Sequence, residues 1–221
     1  TVNIVGYVRK ALMIYDESII KEDIKKLEAR EFYIKYIIKT NNWYFAEYQH
    51  TEGNELIDKM DRFKEIVSDC FEVSFHSAQI VGSAKLGMSL SPQKPFRHFV
   101  ENASDSNQKE SDIDIAIISN SLFGEIWDKI REERKKNVIP KYTSITKSIF
   151  RGYINDKEFK DLEGLRKGWE EKISKCNILL QGELSIIHPI SYRIYRNWED
   201  LEDYQLDGIM KTKEVLLQNE I

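Results

Sequence analysis

Residues 80–119 read IVGSAKLGMSLSPQKPFRHFVENASDSNQKESDIDIAIIS, and the rest of the chain is predicted to be largely helical scaffold around this stretch. At one end, a short apolar run leads into Gly82 and Ser83. At the other end, Asp112 and Asp114 open a second apolar run. The alternation of this second run predicts a β-strand with isoleucines on one face and both aspartates on the other.

The composition is that of a globular protein. The chain has 221 residues, of which 41% are hydrophobic and 32% charged, and a net charge of -4. This charge argues against a broad nucleic-acid-binding face. No run approaches the roughly 18 apolar residues of a membrane helix, and we expect neither secretion nor membrane contact. Cys70 and Cys176 lie far apart in the sequence, which favours buried thiols in a reducing, cytoplasmic compartment.

Hydrophobic periodicity predicts an α+β protein with more helix than strand. We expect an N-terminal helical region over 1–72 that packs on a core over 73–221, which contains a helical insertion and a C-terminal helix. Residues 87–110 are predicted to form a long loop. Helices are predicted over 16–38, 53–71, 121–136, 143–153, 156–175 and 197–217, and strands over 73–81, 111–118 and in pieces over 178–195, with Gly182 at a turn.

Two aspartates at positions i and i+2 of a strand point to the same face, about 6–7 Å apart at the backbone. Asp112 and Asp114 can therefore share a divalent cation, Mg²⁺ or Mn²⁺, which offsets the repulsion between two buried carboxylates. Gly82 allows backbone N–H groups to approach a phosphate closely, and the Ser83 hydroxyl adds a hydrogen bond. Lys85 can supply a positive charge. These features are typical of a phosphoryl- or nucleotidyl-transfer site.

The sequence GSAKLG at 82–87, followed by SDIDIAI at 111–117, resembles the signature of the polymerase-β-like nucleotidyltransferase superfamily. The resemblance implies a small mixed β-sheet core with flanking helices. It implies transfer of a nucleoside monophosphate from an NTP to a hydroxyl or phosphate, with release of pyrophosphate. The acceptor stays open: an RNA end such as that of a tRNA, a protein or a small molecule. The biological setting also stays open, with a toxin–antitoxin or phage-defence module and a protein partner among the alternatives. By this resemblance Asp112 and Asp114 are the catalytic metal ligands, and Gly82 and Ser83 hold the triphosphate. Lys85, Ser111 and Arg193 are further candidate nucleotide-binding residues.

The chain departs from this family pattern in two places. Residues 88–110 form an insertion between the two motifs. The family also supplies a third carboxylate from a later strand, but the strand predicted over 190–196, ISYRIYR, contains no acid. Glu183 is the candidate for this third catalytic position, because it lies near the start of an apolar run. Arg193 on that strand can hold a phosphate, or can serve in ion-pair packing.

Two other interpretations stay open at this stage. The chain can be a catalytically degenerate member of the fold that binds a nucleotide or a protein partner, which the acid-free strand favours. It can also be a structural helical protein in which the two motifs coincide by chance. Three outcomes distinguish these interpretations. An enzyme transfers nucleotide label, a binding module binds NTP tightly without releasing pyrophosphate, and a structural protein does not bind NTP.

Overall fold

A computed structural model describes residues 15–100, 109–159 and 162–218. Most of these residues are helical, and four short strands form one mixed sheet, so the predicted α+β class is confirmed at this level. The strands are β1 (Ala78–Val81), β2 (Ile113–Ile118), β3 (Tyr153–Asn155) and β4 (Ile190–Tyr195). The helices are α1 (Glu17–Lys26), α2 (Ala29–Phe32), α3 (Gly53–Phe71), α4 (Ser83–Leu86), α5 (Asn120–Lys136), α6 (Tyr142–Phe150), α7 (Asp156–Phe159), α8 (Glu163–Leu184) and α9 (Trp198–Gln218), with π-helical turns at Tyr33–Ile37 and Tyr44–Tyr48.

The first described helix begins where the sequence predicts. The carboxylate of Asp16 caps α1 by accepting hydrogen bonds from the backbone N–H groups of Ser18 and Ile19, at 2.8 and 3.1 Å. Helix α1 ends at Lys26, so the single helix predicted over 16–38 is divided into shorter helical segments. Helix α1 packs against α9, and α3 packs against α8. The boundary between a region 1–72 and a core 73–221 stays a prediction.

The sheet has the order β1–β2–β4–β3. Strand β1 runs antiparallel to β2 and ends with Val81 opposite Asp114. Strand β4 runs parallel to β2, with Ser191 opposite Asp114 and Arg193 opposite Ala116. Strand β3 forms the other edge, antiparallel to β4. The register therefore brings the end of β1, the start of β2 and the start of β4 to one end of the sheet.

The two faces of β2 differ in the way that its alternation predicts. Ile113, Ile115 and Ile117 are at most 1% exposed and lie in the main apolar core, which also receives side chains of α3, α5 and α8. The opposite face carries Asp112 and Asp114. One face of β2 is therefore used for the main core. On the other face, Ala116 and Ile118 are buried in a second apolar cluster, and the end that carries the two aspartates is available to a ligand.

The strand predicted in pieces over 178–187 is wrong. Helix α8 continues to Leu184, and its side chains at Cys176, Leu180 and Leu184 are buried at four-residue intervals. This spacing places them on one helical face, so a run that looks strand-like is the buried stripe of a long helix. Gly182 lies inside α8 and not at a turn. The strand predicted from residue 190 is confirmed as β4.

Two further boundaries differ from the prediction. The helix predicted over 143–153 ends at Phe150, and β3 begins at Tyr153, after Gly152 with a φ of 77°. A strand of three residues is too short to show an alternation in the sequence. The strand predicted over 73–81 is limited to β1, because a 3₁₀ turn occupies Phe75–Ser77.

No helix within the described residues is both long and apolar enough to cross a lipid bilayer. Cys70 and Cys176 are buried and are not joined in a disulfide. Of the loop predicted over 87–110, residues 101–108 lie outside the described part of the chain. Its first part folds back on itself, so that the backbone N–H of Ser89 donates to the carbonyl of Arg97 at 2.9 Å.

Candidate functional site

A cleft of about 500 Å³ opens on the face of the sheet that carries the two aspartates. Its floor is formed by β2 and β4, and its walls by α9, the segment that follows α4, and the start of β3. Gly82, Ser83, Ser111, Asp112 and Asp114 all line it. The two motifs of the sequence, about thirty residues apart along the chain, are therefore parts of one surface.

The turn at Gly82 lies directly against Asp114. Gly82 has a φ of 68° and a ψ of -150°, a backbone conformation that is essentially restricted to glycine. A Cβ atom at this position would lie 2.5 Å from Oδ2 of Asp114. Both the turn and the close approach of a carboxylate therefore require glycine at position 82.

Asp114 is the inner carboxylate of the pair. The Ser191 hydroxyl of β4 donates a hydrogen bond to its Oδ1 at 2.6 Å. Burial raises the pKa of Asp114, and the charge of Asp112 raises it further, while the Ser191 hydrogen bond acts in the opposite direction. Two carboxylates on one face, both partly withdrawn from water, favour a bound cation.

Asp112 is the outer carboxylate, with 41% of its side chain exposed. The Lys157 ammonium of α7 lies 3.0 Å from its Oδ2. Burial acts to raise the pKa of Asp112, but the hydrogen bond and charge of Lys157 outweigh it, so the pKa lies below its ordinary value. The described structure thus pairs Asp112 with an ammonium group from α7.

Arg193 occupies the same face of the sheet as Asp114, on the neighbouring strand. Its guanidinium carbon lies 5.4 Å from the ring centroid of Tyr153 and 4.7 Å from that of Tyr204. Its Nη1 donates a long hydrogen bond, 3.4 Å, to the Tyr195 hydroxyl. Arg193 also lines the cleft. Three tyrosines therefore hold a guanidinium group in a fixed position beside the carboxylate pair.

The cleft carries more cations than anions. Arg151 and Lys211 both bind Asp207, at 2.8 and 2.7 Å. The other lining cations make no ion pair with a carboxylate of the described residues: Lys94, Arg97, Lys109 and Arg193. A cleft with unpaired basic side chains around a carboxylate pair is suited to a polyanionic ligand that brings its own metal ion.

Two sequence-predicted site residues lie outside this cleft. Lys85 is 1% exposed, and its ammonium group donates hydrogen bonds to the carbonyls of Lys39 and Asn41. Glu183 lies on α8 and forms a two-point ion pair with Arg62 of α3, at 2.5 and 2.8 Å. The structure therefore does not bring Lys85 or Glu183 to the aspartates.

Ser111 lines the cleft, but its hydroxyl already has a partner. Its Oγ accepts a hydrogen bond from the backbone N–H of Val100 at 3.0 Å, and its own N–H donates to the Val100 carbonyl. These bonds fix the entry to β2. Ser111 positions Asp112 within the cleft.

No third acid completes the aspartate pair among the described residues, where no group of three or more His, Cys, Asp or Glu side chains is arranged to hold a metal ion. The strand next to β2 presents Ser191 opposite Asp114. The strand beside Asp112 and Asp114 is therefore β4, and it contains no Asp or Glu, as the sequence predicts.

Several cleft residues were not predicted from the sequence. Tyr153 lies on a strand too short to show an alternation. Lys157 contacts Asp112 without lining the cleft, and it falls in a predicted helix whose periodicity does not show this contact. A signal does exist in α9, where Tyr204, Gly208 and Lys211 recur at the three- and four-residue steps that define one helical face. All three line the cleft.

The chain matches no protein-family model, no curated protein and no solved structure. Its function is therefore inferred from the chemistry of the cleft.

Proposed function

We propose that this protein is a metal-dependent nucleotidyltransferase that uses an NTP with Mg²⁺ or Mn²⁺. One observation carries the proposal. The glycine at the Gly82 turn lies against Asp114 in a cleft that also contains unpaired basic side chains. A phosphate-binding turn, a carboxylate pair and excess positive charge together match the needs of a nucleoside triphosphate. The sequence resemblance to the polymerase-β-like superfamily supports the same chemistry.

The residues present fit a hard divalent cation. Asp112 and Asp114 supply carboxylate oxygens, the ligand type that Mg²⁺ and Mn²⁺ prefer, and the buried position of Asp114 makes a neutralising cation favourable. When bound, the ion would offset phosphate charge and orient the α-phosphate. Ser191 fixes the orientation of Asp114 by its hydrogen bond to Oδ1.

The protein's own side chains would bind and orient the nucleotide. Gly82 lets the backbone approach a phosphate without a side chain in the way, and Ser83 adds a hydroxyl donor. The unpaired cations Arg97, Lys109 and Arg193 bring positive charge to the triphosphate. Lys157 lies at the aspartates, where it limits the repulsion between them.

The proposed reaction forms one bond to the α-phosphorus and breaks another. An oxygen of the acceptor forms a bond to the α-phosphorus, and the bond from that phosphorus to the bridging oxygen of the β-phosphate breaks. Pyrophosphate leaves with the bonding electron pair. When the acceptor is a hydroxyl, its proton passes to water, and when it is a phosphate, no proton is released.

Transfer of label from NTPs radiolabelled at the α-phosphate tests the proposal. The acceptors are pooled tRNA, total protein and small hydroxyl compounds, each with Mg²⁺ or Mn²⁺. We expect label transfer by the wild-type chain, and loss of at least about a hundredfold in the Asp112→Asn/Asp114→Asn variant. Asp58→Asn is the matched control, because Asp58 is an exposed aspartate of α3 outside the cleft. Equal labelling by the double variant and the control would reject the proposal.

A second function is favoured by one specific observation, the serine opposite Asp114 on β4. Without an acid on that strand, the same cleft can bind an NTP and not transfer it. Calorimetry with Mg²⁺-NTP, combined with a pyrophosphate-release assay, separates the two functions. Tight binding without release in all acceptor pools would favour the binding module over the enzyme.

A further inference from the structure

Arg193 is the most unusual side chain of the cleft. It is a mostly buried cation on a sheet, and its strand neighbour on β2 is the small residue Ala116, which leaves space above the sheet for the long side chain. The rings of Tyr153 and Tyr204 pack against the guanidinium plane. Cation–π contacts of this kind position an arginine without using its N–H donors.

Those donors are largely unused. A guanidinium group has five N–H donors, and the protein acceptor found for Arg193 among the described residues is the Tyr195 hydroxyl, at the long distance of 3.4 Å. Its Nε is buried and has no hydrogen-bond partner in the described structure. A buried donor without a partner is costly, so its retention in a cleft indicates a binding role.

The neighbouring charges indicate an anion larger than a single carboxylate. Asp207 already neutralises Arg151, which packs on the outer side of the same two tyrosines, at 5.8 and 5.7 Å from their centroids. Arg193, on the inner side, has no such carboxylate within ion-pair distance in the described residues. Arg97, across the cleft, also has a buried Nε without a partner. Two arginines with free donors face one cavity.

We propose that Arg193, fixed between Tyr153 and Tyr204, is the anchor for the pyrophosphate portion of a bound nucleotide. The inference rests on the proposed function and names the residue that would hold the part of the substrate that leaves. Arginine presents parallel N–H donors that match two phosphate oxygens. Arg193 makes no ion pair with Asp114 in the described structure, so it leaves that carboxylate free for a metal ion.

Titration calorimetry with inorganic pyrophosphate in the presence of EDTA tests the anchor without metal or nucleotide. We expect measurable binding by the wild-type chain, and an affinity at least about tenfold weaker in Arg193→Met, which keeps the aliphatic stem but removes the donors. Arg193→Lys is expected to lie in between, because it keeps charge but loses the paired donors. Arg30→Met is the control, since Arg30 pairs with Glu202 and does not line the cleft.

Two outcomes would overturn the anchor. One is no pyrophosphate binding by the wild-type chain at millimolar concentration. The other is a thermal midpoint that falls in Arg193→Met while pyrophosphate affinity stays the same, since this would identify a purely structural arginine. Should Arg193→Met not fold, Tyr204→Leu removes one of the two rings and is expected to weaken binding by a few-fold, and unchanged binding in that variant would also overturn the anchor.

The anchor and the proposed function can fail separately. Pyrophosphate binding that depends on Arg193, together with no label transfer from any NTP, would support the anchor and reject the enzyme. Label transfer that depends on the two aspartates, with equal apparent NTP affinity in wild type and Arg193→Met, would support the enzyme and reject the anchor.

Discussion

Lys85 is a buried cation and Arg193 a partly buried one, and the two differ in how their N–H donors are used. The ammonium of Lys85 donates to the backbone carbonyls of Lys39 and Asn41, so its donors serve the fold. Arg193 is held by aromatic rings, and its donors remain largely unused. Burial alone therefore does not identify a binding residue, whereas the number of unused donors does.

The difference also separates two regions of the chain. Lys85 joins the short helix α4 to the loop that precedes the second π-helical turn. The Lys85 side chain is buried there, and backbone carbonyls accept its hydrogen bonds. Arg193 lies on the open face of the sheet, at a cleft of about 500 Å³. Substitutions in the first region are expected to change stability, and those in the second to change ligand binding.

The largest expected effect belongs to Lys85→Ala. Truncation leaves a cavity in a nearly fully buried site and removes the donors of two backbone carbonyls. We expect the free energy of unfolding to fall by about 2–4 kcal/mol. Urea denaturation measures this loss. Pyrophosphate affinity of the folded variant should remain that of the wild type, and a large loss of affinity would place Lys85 in the binding region.

Lys85 is also expected to make the stability of the protein depend on pH. Burial lowers the pKa of Lys85 to about 7 from its ordinary value of 10.5. Between these values the unfolded chain binds a proton that the folded chain does not, so this group makes stability rise with pH from about 7 towards 10.5. The slope is at most about 1.4 kcal/mol per pH unit. Urea denaturation at two pH values, about 7 and about 9, should show a smaller rise in Lys85→Ala than in the wild type. An equal rise of the free energy of unfolding in the wild type and in Lys85→Ala would contradict the role of Lys85 in this pH dependence.

Arg193→Met is expected to have a small effect on stability. The loss of cation–π contacts with the tyrosines is offset by removal of a buried, poorly solvated charge. We expect the free energy of unfolding to change by no more than about 1 kcal/mol, measured by urea denaturation beside Lys85→Ala. A loss of unfolding free energy as large as that of Lys85→Ala would show that Arg193, like Lys85, serves mainly to stabilise the fold.

The smallest effect is expected for Glu183→Gln. Glu183 pairs with Arg62 between two helices and does not line the cleft. Nucleotide transfer by this variant should stay within about twofold of the wild type, since surface ion pairs have small effects. The same label-transfer assay measures it. A loss comparable to that of the Asp112→Asn/Asp114→Asn variant would restore Glu183 as the third catalytic acid.

The part of the site that could be predicted from sequence is the part with local periodicity. Alternation alone assigns the two faces of β2, and the glycine at position 82 marks a turn. The contact between Gly82 and Asp114 depends on the pairing of β1 with β2, which no local pattern specifies. The partner of Asp112 is likewise set by the position of α7, far along the chain.

The errors have a physical cause as well. Glu183 adjoins the apolar run 184–187, but α8 ends at Leu184, so most of that run lies beyond the helix, and Glu183 itself is on the exposed side of α8. Lys85 follows a glycine–serine turn, and the sequence does not show that the short helix α4 turns its side chain inward. Residue type and spacing thus predict chemistry well, but they predict the direction of a side chain only where the element is regular.

The parallel pairing of β2 with β4 also has a consequence for the order in which the protein assembles. The Ser191 hydroxyl reaches Asp114 across 77 positions of sequence. Contacts of such long sequence separation form late in folding, because the intervening chain must first give up its freedom. During synthesis, a nascent chain carries both aspartates well before it carries the strand that supports them. The cleft is therefore completed only when β4 joins the sheet.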